Sequence, residues 1–113
     1  MADDQPNPQD PLESELVRDD PSLGDIVIEF VEGLRERVDT MQQSLDDADF
    51  DALRTTAHQL KGSGGGYGYP LVTDRARELE LHATSSALVE CTAALNELRK
   101  LSVRICAGAP KPD

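Results

Sequence analysis

The sequence predicts an all-α fold, an antiparallel four-helix bundle with a partly disordered or short-helical N-terminal extension. Three observations point there. Apolar residues recur at steps of three and four through four separate segments. Short polar or glycine-rich links join those segments, as in an up-down-up-down bundle. No segment shows the sustained alternation of a strand. The composition agrees, because 113 residues hold no Trp, two Phe and two Tyr, a poor inventory for packing sheets. The length allows one domain with one core.

The first helix is expected after Asp20-Pro21-Ser22, with Ser22 as N-cap and Asp25 adding negative charge to the first turn. Its stripe is Val27, Phe30, Val31, Leu34, Val38, Met41 and Leu45. The run Asp46-Asp47-Ala48-Asp49 interrupts it, and Asp49 reads as the N-cap of a second helix. That helix carries Phe50, Leu53, Ala57, Leu60 and Gly64 on one face. It dissolves into residues 62–68, where five of seven positions are glycine. Pro70 suits the first turn of a third helix, whose stripe is Val72, Ala76, Leu79 and Ala83. Thr84-Ser85-Ser86 is a polar break with capping residues. Leu88, Cys91, Thr92, Leu95, Leu98, Ser102 and Ile105 form the stripe of a fourth helix.

These elements give a bundle over 21–107, an acidic, proline-containing extension over 1–20 and a short tail over 108–113. The extension holds seven acids, one base and three prolines, so it reads as solvated. Within it, Leu12, Leu16 and Val17 can form a short helical turn that docks on the body.

The chain has 22 acidic and 11 basic residues, for a net charge of −11. Such a chain repels phosphate backbones and anionic bilayers, so neither nucleic acid nor a membrane is the expected partner. No apolar run reaches the ~18–20 residues that span a bilayer. The polar start Met1-Ala2-Asp3-Asp4 does not read as a secretory signal. A cytoplasmic location is therefore expected. Cys91 and Cys106 fall on one predicted helix, roughly 22 Å apart at its ordinary rise, too far to pair with each other. They read as small hydrophobes. No dimerisation seam is evident, so a monomer is expected.

Histidine 58 stands out. On a helical projection, the stripe of the second helix covers about 80°, and His58 points about 120° from its centre. It should face outward. Its surface neighbours are Arg54, Lys61, Gly62 and Gly65, so an exposed imidazole is flanked by two cations and two positions without side chains. Glycine costs ~1 kcal/mol relative to Ala inside a helix, with no packing return on an exposed face. The physical benefit is access, because another protein can come close to the ring. The cations make sense if the ring acquires negative charge, since a phosphoryl group brings up to about two negative charges.

The stretch Ala57-His58-Gln59-Leu60-Lys61-Gly62, followed by Gly65 and Gly68, resembles the signature of histidine-containing phosphotransfer (HPt) domains. The resemblance extends over roughly residues 22–106. It includes Asp49-Phe50 before the motif helix and Ala76, Leu79, Glu80 and Ala83 after it. HPt domains are four-helix bundles in multistep two-component phosphorelays. The resemblance implies that His58 accepts the phosphoryl group and that Lys61 stabilises its charge. Arg54 is then an auxiliary cation. It further implies that Gly62 and Gly65 admit the partner, together with Gly68, which matches the glycine ending the motif helix. Extra glycines at 64 and 66 depart from the pattern. Neutral imidazole is a competent nucleophile near pH 7. In such domains it attacks the aspartyl phosphate of a receiver domain and hands the group to another receiver. The implied partners are receiver domains of a hybrid histidine kinase and of response regulators. Mg²⁺ is expected on the receiver, with no cofactor, metal or ATP site on this chain.

A glycine-rich phosphate cradle follows a strand and opens a helix, whereas residues 62–68 close one. A metal site at His58, His82 and a cysteine lacks ligand spacing. Tyr67 and Tyr69 are expected to pack at the helix end. The alternative from another class is a helical adaptor that binds and regulates a kinase or receiver without being phosphorylated. It has no need for the imidazole. Ile26 and Ile28, on the flanks of the first helix, suit a transient interface if the extension does not cover them.

Overall fold

The computed structural model describes residues 10–111. Among these, every regular element is helical: α1 (Glu15–Asp19), α2 (Gly24–Asp46), α3 (Phe50–Gly64), α4 (Pro70–Thr84) and α5 (Leu88–Ala107). Two 3-10 turns, Pro21–Leu23 and Gly65–Tyr67, precede α2 and follow α3. The long helices form a ring of neighbours. Helix α3 packs on α4, α4 on α5, α5 on α2 and α2 back on α3.

The core is drawn from the expected stripes. Val27, Leu34, Met41, Leu53, Ala57, Leu60, Val72, Ala76, Leu79, Leu95 and Ile105 have almost no exposed surface. A fully buried aliphatic side chain of this kind contributes about 1.5–3 kcal/mol. Phe30 stacks on Tyr67 with ring centroids 4.6 Å apart and lies 5.9 Å from the Tyr69 ring. The two tyrosines thus pack at the end of α3, as expected. Burial pushes the Tyr69 hydroxyl up to about 12, with further contributions from Cys106 and Glu13.

Local signals held at Asp49, whose carboxylate accepts the Ala52 N–H at 3.1 Å, and at Pro70, which opens α4. Elsewhere the structure corrects the expectation. Ser22 does not cap α2. Its N–H and hydroxyl both donate to the Asp20 carboxylate, at 3.1 and 2.6 Å. Asp20 therefore caps the 3-10 turn, and α2 starts at Gly24 without a side-chain cap. Thr84, Ser85 and Ser86 do not cap α5 either. Ser86 takes a left-handed φ of 52°, and backbone bonds from Ser86 N–H to the Ala83 carbonyl and from Ala87 N–H to the His82 carbonyl close that turn.

On α5 the buried face includes Ala94 and Leu101 but not Leu88, which is 54% exposed, or Thr92, which is also exposed. The buried arc centres about 80° from Leu88 and about 120° from Thr92 on the helix projection. Both cysteines lie on α5 unpaired, Cys91 buried and Cys106 half-buried.

The solvated reading of the extension fails over residues 12–17. Ser14 is buried and caps α1, accepting the N–H groups of Leu16 and Val17. Its hydroxyl donates to the Tyr67 carbonyl at 2.7 Å. Glu15 N–H donates to the Gly68 carbonyl, and Leu12 N–H to the Arg104 carbonyl, each at 2.9 Å. Leu12, Leu16 and Val17 pack on the core, so the docking turn is present. The acids and prolines of residues 1–9 lie outside the described residues, as do Pro112 and Asp113.

This docking depends on Gly68. It ends the 3-10 turn at φ +91°, and a Cβ there would run into Ser14 Oγ and the Leu16 nitrogen. Gly68→Ala is therefore expected to lower stability by about 2 kcal/mol or more. Gly66→Ala, where a Cβ meets nothing within 4 Å, should be neutral or slightly stabilising. Urea unfolding of the two variants beside the wild type checks this. Equal stabilities would mean that the N-terminal segment yields freely.

Candidate functional site

Helix α3 turns His58 outward because Leu53, Ala57, Leu60 and Gly64 claim its buried face. The His58 side chain is 64% exposed. Gly64 lets α4 come close, since a Cβ there would lie 2.8 Å from Val72 Cγ1 and 3.0 Å from the Thr73 nitrogen. That approach brings Glu80 of α4 up to the histidine. His58 Nδ1 lies 2.7 Å from Glu80 Oε2, and Lys61 Nζ lies 2.6 Å from Glu80 Oε1.

One carboxylate thus serves two partners. An ionised carboxylate only accepts hydrogen bonds, so His58 Nδ1 carries the proton and donates it. The second ring nitrogen, Nε2, is left with its lone pair on an exposed ring. The hydrogen bond from Lys61 holds the Glu80 carboxyl below its ordinary value of 4.5; partial burial opposes this and the bond from His58 assists it. Glu80 therefore stays ionised at neutral pH, as the arrangement requires.

The surface beside the ring is bare. A Cβ at Gly62 would meet nothing within 4 Å, and one at Gly65 would meet Thr73 Oγ1 at 3.5 Å. Gly68 does not belong to this access surface. It is buried beneath Ser14 and Leu16, so no partner reaches the site through it. Arg54 is exposed on α3 and forms no hydrogen bond or ion pair among the described residues. Flanking cations are thus not the only charges at the ring. Its direct partner is an anion, and Lys61 is tied to that anion. Ile26 remains exposed and lines a groove with Phe30, Gly33, Ser63 and Tyr67, while Ile28 is half-buried.

A family model described as Hpt domain matches residues 25–105 of this chain. The chain belongs to the Hpt domain family. No curated protein and no solved structure gives a match. Hpt domains carry out histidine phosphotransfer in two-component signalling and interact with receiver domains of kinases and regulators. No helix among the described residues of this Hpt domain is long and apolar enough to cross a membrane.

Sequence reasoning assigned Glu80 no role. On a projection of α4 it sits roughly 70° from the centre of the apolar stripe, on the same flank as Thr73. That much is visible in the sequence. Which flank meets α3 depends on how the helices of the domain are arranged around one another, and no local pattern encodes it.

The shared carboxylate has two measurable consequences. In wild type the His58 ring should show the Nδ1–H tautomer by imidazole ¹⁵N shifts at neutral pH, and Glu80→Ala should return it toward a mixture. An unchanged ratio would remove Glu80 from this role. Because the folded-state pKa of Glu80 is lowered, its stabilising contribution is present above about 4.5 and is lost as pH falls through the lowered value. Glu80→Ala should remove that part of the acid-side loss.

Proposed function

We propose that this Hpt domain is a phosphocarrier: His58 accepts a phosphoryl group from a receiver-domain aspartyl phosphate and passes it to another receiver in a multistep phosphorelay. The observation that carries this reading is the exposed His58 ring, with its Nδ1 proton held by Glu80 and Gly62 bare beside it. The step balances simply. The Nε2 lone pair attacks phosphorus, the N–P bond forms as the acyl O–P bond breaks, and the receiver aspartate leaves as carboxylate. No proton has to leave Nδ1 for this to occur. The developing positive charge of the ring is stabilised by Glu80 across it, and Lys61 offers its ammonium group to the phosphoryl oxygens.

The phosphoryl transition state is loose, so the carrier contributes mainly positioning and charge. The receiver then supplies Mg²⁺ and its acidic pocket, and the carrier needs neither ATP nor a metal of its own. The receiver would dock over Gly62 and Gly65 and onto the groove at Ile26, Gly33 and Tyr67. The short links between α2, α3, α4 and α5 favour antiparallel neighbours. The carrier acts as a monomer in the cytoplasm.

Phosphoryl transfer from a labelled receiver domain tests this reading, with wild type and His58→Gln side by side. Wild type should acquire an acid-labile, base-stable label, and His58→Gln should acquire none while keeping its melting temperature. Lys61→Ala should slow transfer by about ten- to a hundredfold with docking retained. Gly62→Leu should block transfer with the bundle intact. A folded wild type that binds a receiver but takes no label would move the reading to a non-phosphorylated adaptor.

A further inference from the structure

The Thr73 hydroxyl occupies an unusual place. It donates to the Lys61 carbonyl at 2.9 Å and accepts the Gly65 N–H at 2.9 Å. In an uninterrupted α-helix that N–H would donate directly to that carbonyl. A side chain from α4 has therefore been inserted into the hydrogen-bond ladder of α3, one turn beyond His58. Inserted groups of this kind open a helix locally. Here the α-helix ends at Gly64 and continues as the 3-10 turn Gly65–Tyr67.

Lys61 is thus gripped twice from one face of α4. Thr73 holds its carbonyl, and Glu80, seven residues further along, holds its ammonium group at 2.6 Å. Seven residues are nearly two full turns, so both grips lie on the same flank. The insertion satisfies the polar groups it separates, and Gly65 has room for it because a Cβ there would only touch the hydroxyl at 3.5 Å.

We infer that Thr73 is a positioning residue for phosphoryl transfer: its hydroxyl, inserted between the Lys61 carbonyl and the Gly65 N–H, fixes the main chain from which Lys61 reaches the His58 ring. This rests on the phosphocarrier reading. Thr73 touches neither the ring nor the phosphoryl group, and it acts through Lys61. Thr73→Val keeps the shape and removes the hydroxyl. Direct closure of the ladder would then shift the base of Lys61 relative to the ring. Thr73→Ser keeps the hydroxyl.

The test is a double-mutant cycle on the transfer rate from a phosphorylated receiver, with phosphoramidate as a second, small donor that needs no docking surface. With either donor, Thr73→Val should slow saturated transfer about five- to tenfold in the Lys61 background. In the Lys61→Ala background it should add almost nothing, because the group it positions is gone. Thr73→Ser should restore the wild-type rate, because it keeps the hydroxyl that bridges Lys61 and Gly65. Slowing that is equal in both backgrounds would make Thr73 a general structural residue and overturn the inference. So would wild-type transfer by Thr73→Val, or failure of Thr73→Ser to rescue. If wild type takes no label from either donor while folded, the phosphocarrier reading falls and this inference with it. A labelled wild type with an additive cycle sinks this inference alone.

Discussion

The close approach of α3 and α4 at Gly64 underlies both the packing and the chemistry. With no side chain at 64, the α4 backbone passes where a Cβ would be 3.0 Å from the Thr73 nitrogen. Ala57 and Ala76, both fully buried, keep the rest of the interface narrow. Distances along α4 then follow from helix geometry. Thr73 reaches the α3 ladder, and Glu80 reaches the ring of His58 and the ammonium of Lys61. Hydrogen bonds of 2.6–2.9 Å tolerate little separation. A methyl group at 64 would push α4 outward and weaken all of them together. The smallest residue in the buried stripe is what assembles the polar site on the surface.

On the phosphocarrier reading, a carboxylate next to the accepting group looks counterproductive in a chain of net charge −11. The geometry resolves this. Glu80 is bridged by Lys61 and by the ring N–H, so the pair of charged side chains adds no net charge beside the ring. Glu80 also meets the ring at Nδ1, the nitrogen opposite the one proposed to react. Repulsion between carboxylate and phosphoryl falls with distance, while the hydrogen bond that selects the tautomer keeps its full effect. Lys61 is held close without being consumed, since an ion pair at the surface contributes little and can exchange partners.

Much of this was legible in the sequence, and the reasons differ by residue. The core stripes of α2, α3 and α4 are fixed by periodicity, a strictly local property. Asp49 and Pro70 act within one turn of where they sit, so their roles could be read directly. His58 faces outward because its own helix buries the opposite side. The failures were of two kinds. Ser22 had a competing partner two residues away, Asp20, and the stronger acceptor won both of its donors. Glu80, Thr73 and Ser14 act across distances of 22, 12 and 53 residues in the chain. Their roles depend on how helices are arranged around one another, which a periodic pattern leaves undetermined.

The glycine-rich run shows how those long-range contacts change the meaning of a local signal. Read alone, five glycines in seven residues suggest a floppy link after the motif helix. In the fold the run is held from both sides. Thr73 closes on Lys61 and Gly65, and Ser14 and Glu15 close on the carbonyls of Tyr67 and Gly68. The glycines then separate by cause. Gly64 permits a helix to approach, Gly68 supplies the left-handed turn under the N-terminal segment, and Gly62 leaves open surface beside the ring. In the proposed transfer a phosphoryl donor must come within bonding distance of Nε2, which calls for a bare surface; attack in line calls for a rigid one. Glycine supplies the first at the cost of the second, and the bonds from α4 and from the N-terminal segment restore the rigidity that the glycines remove.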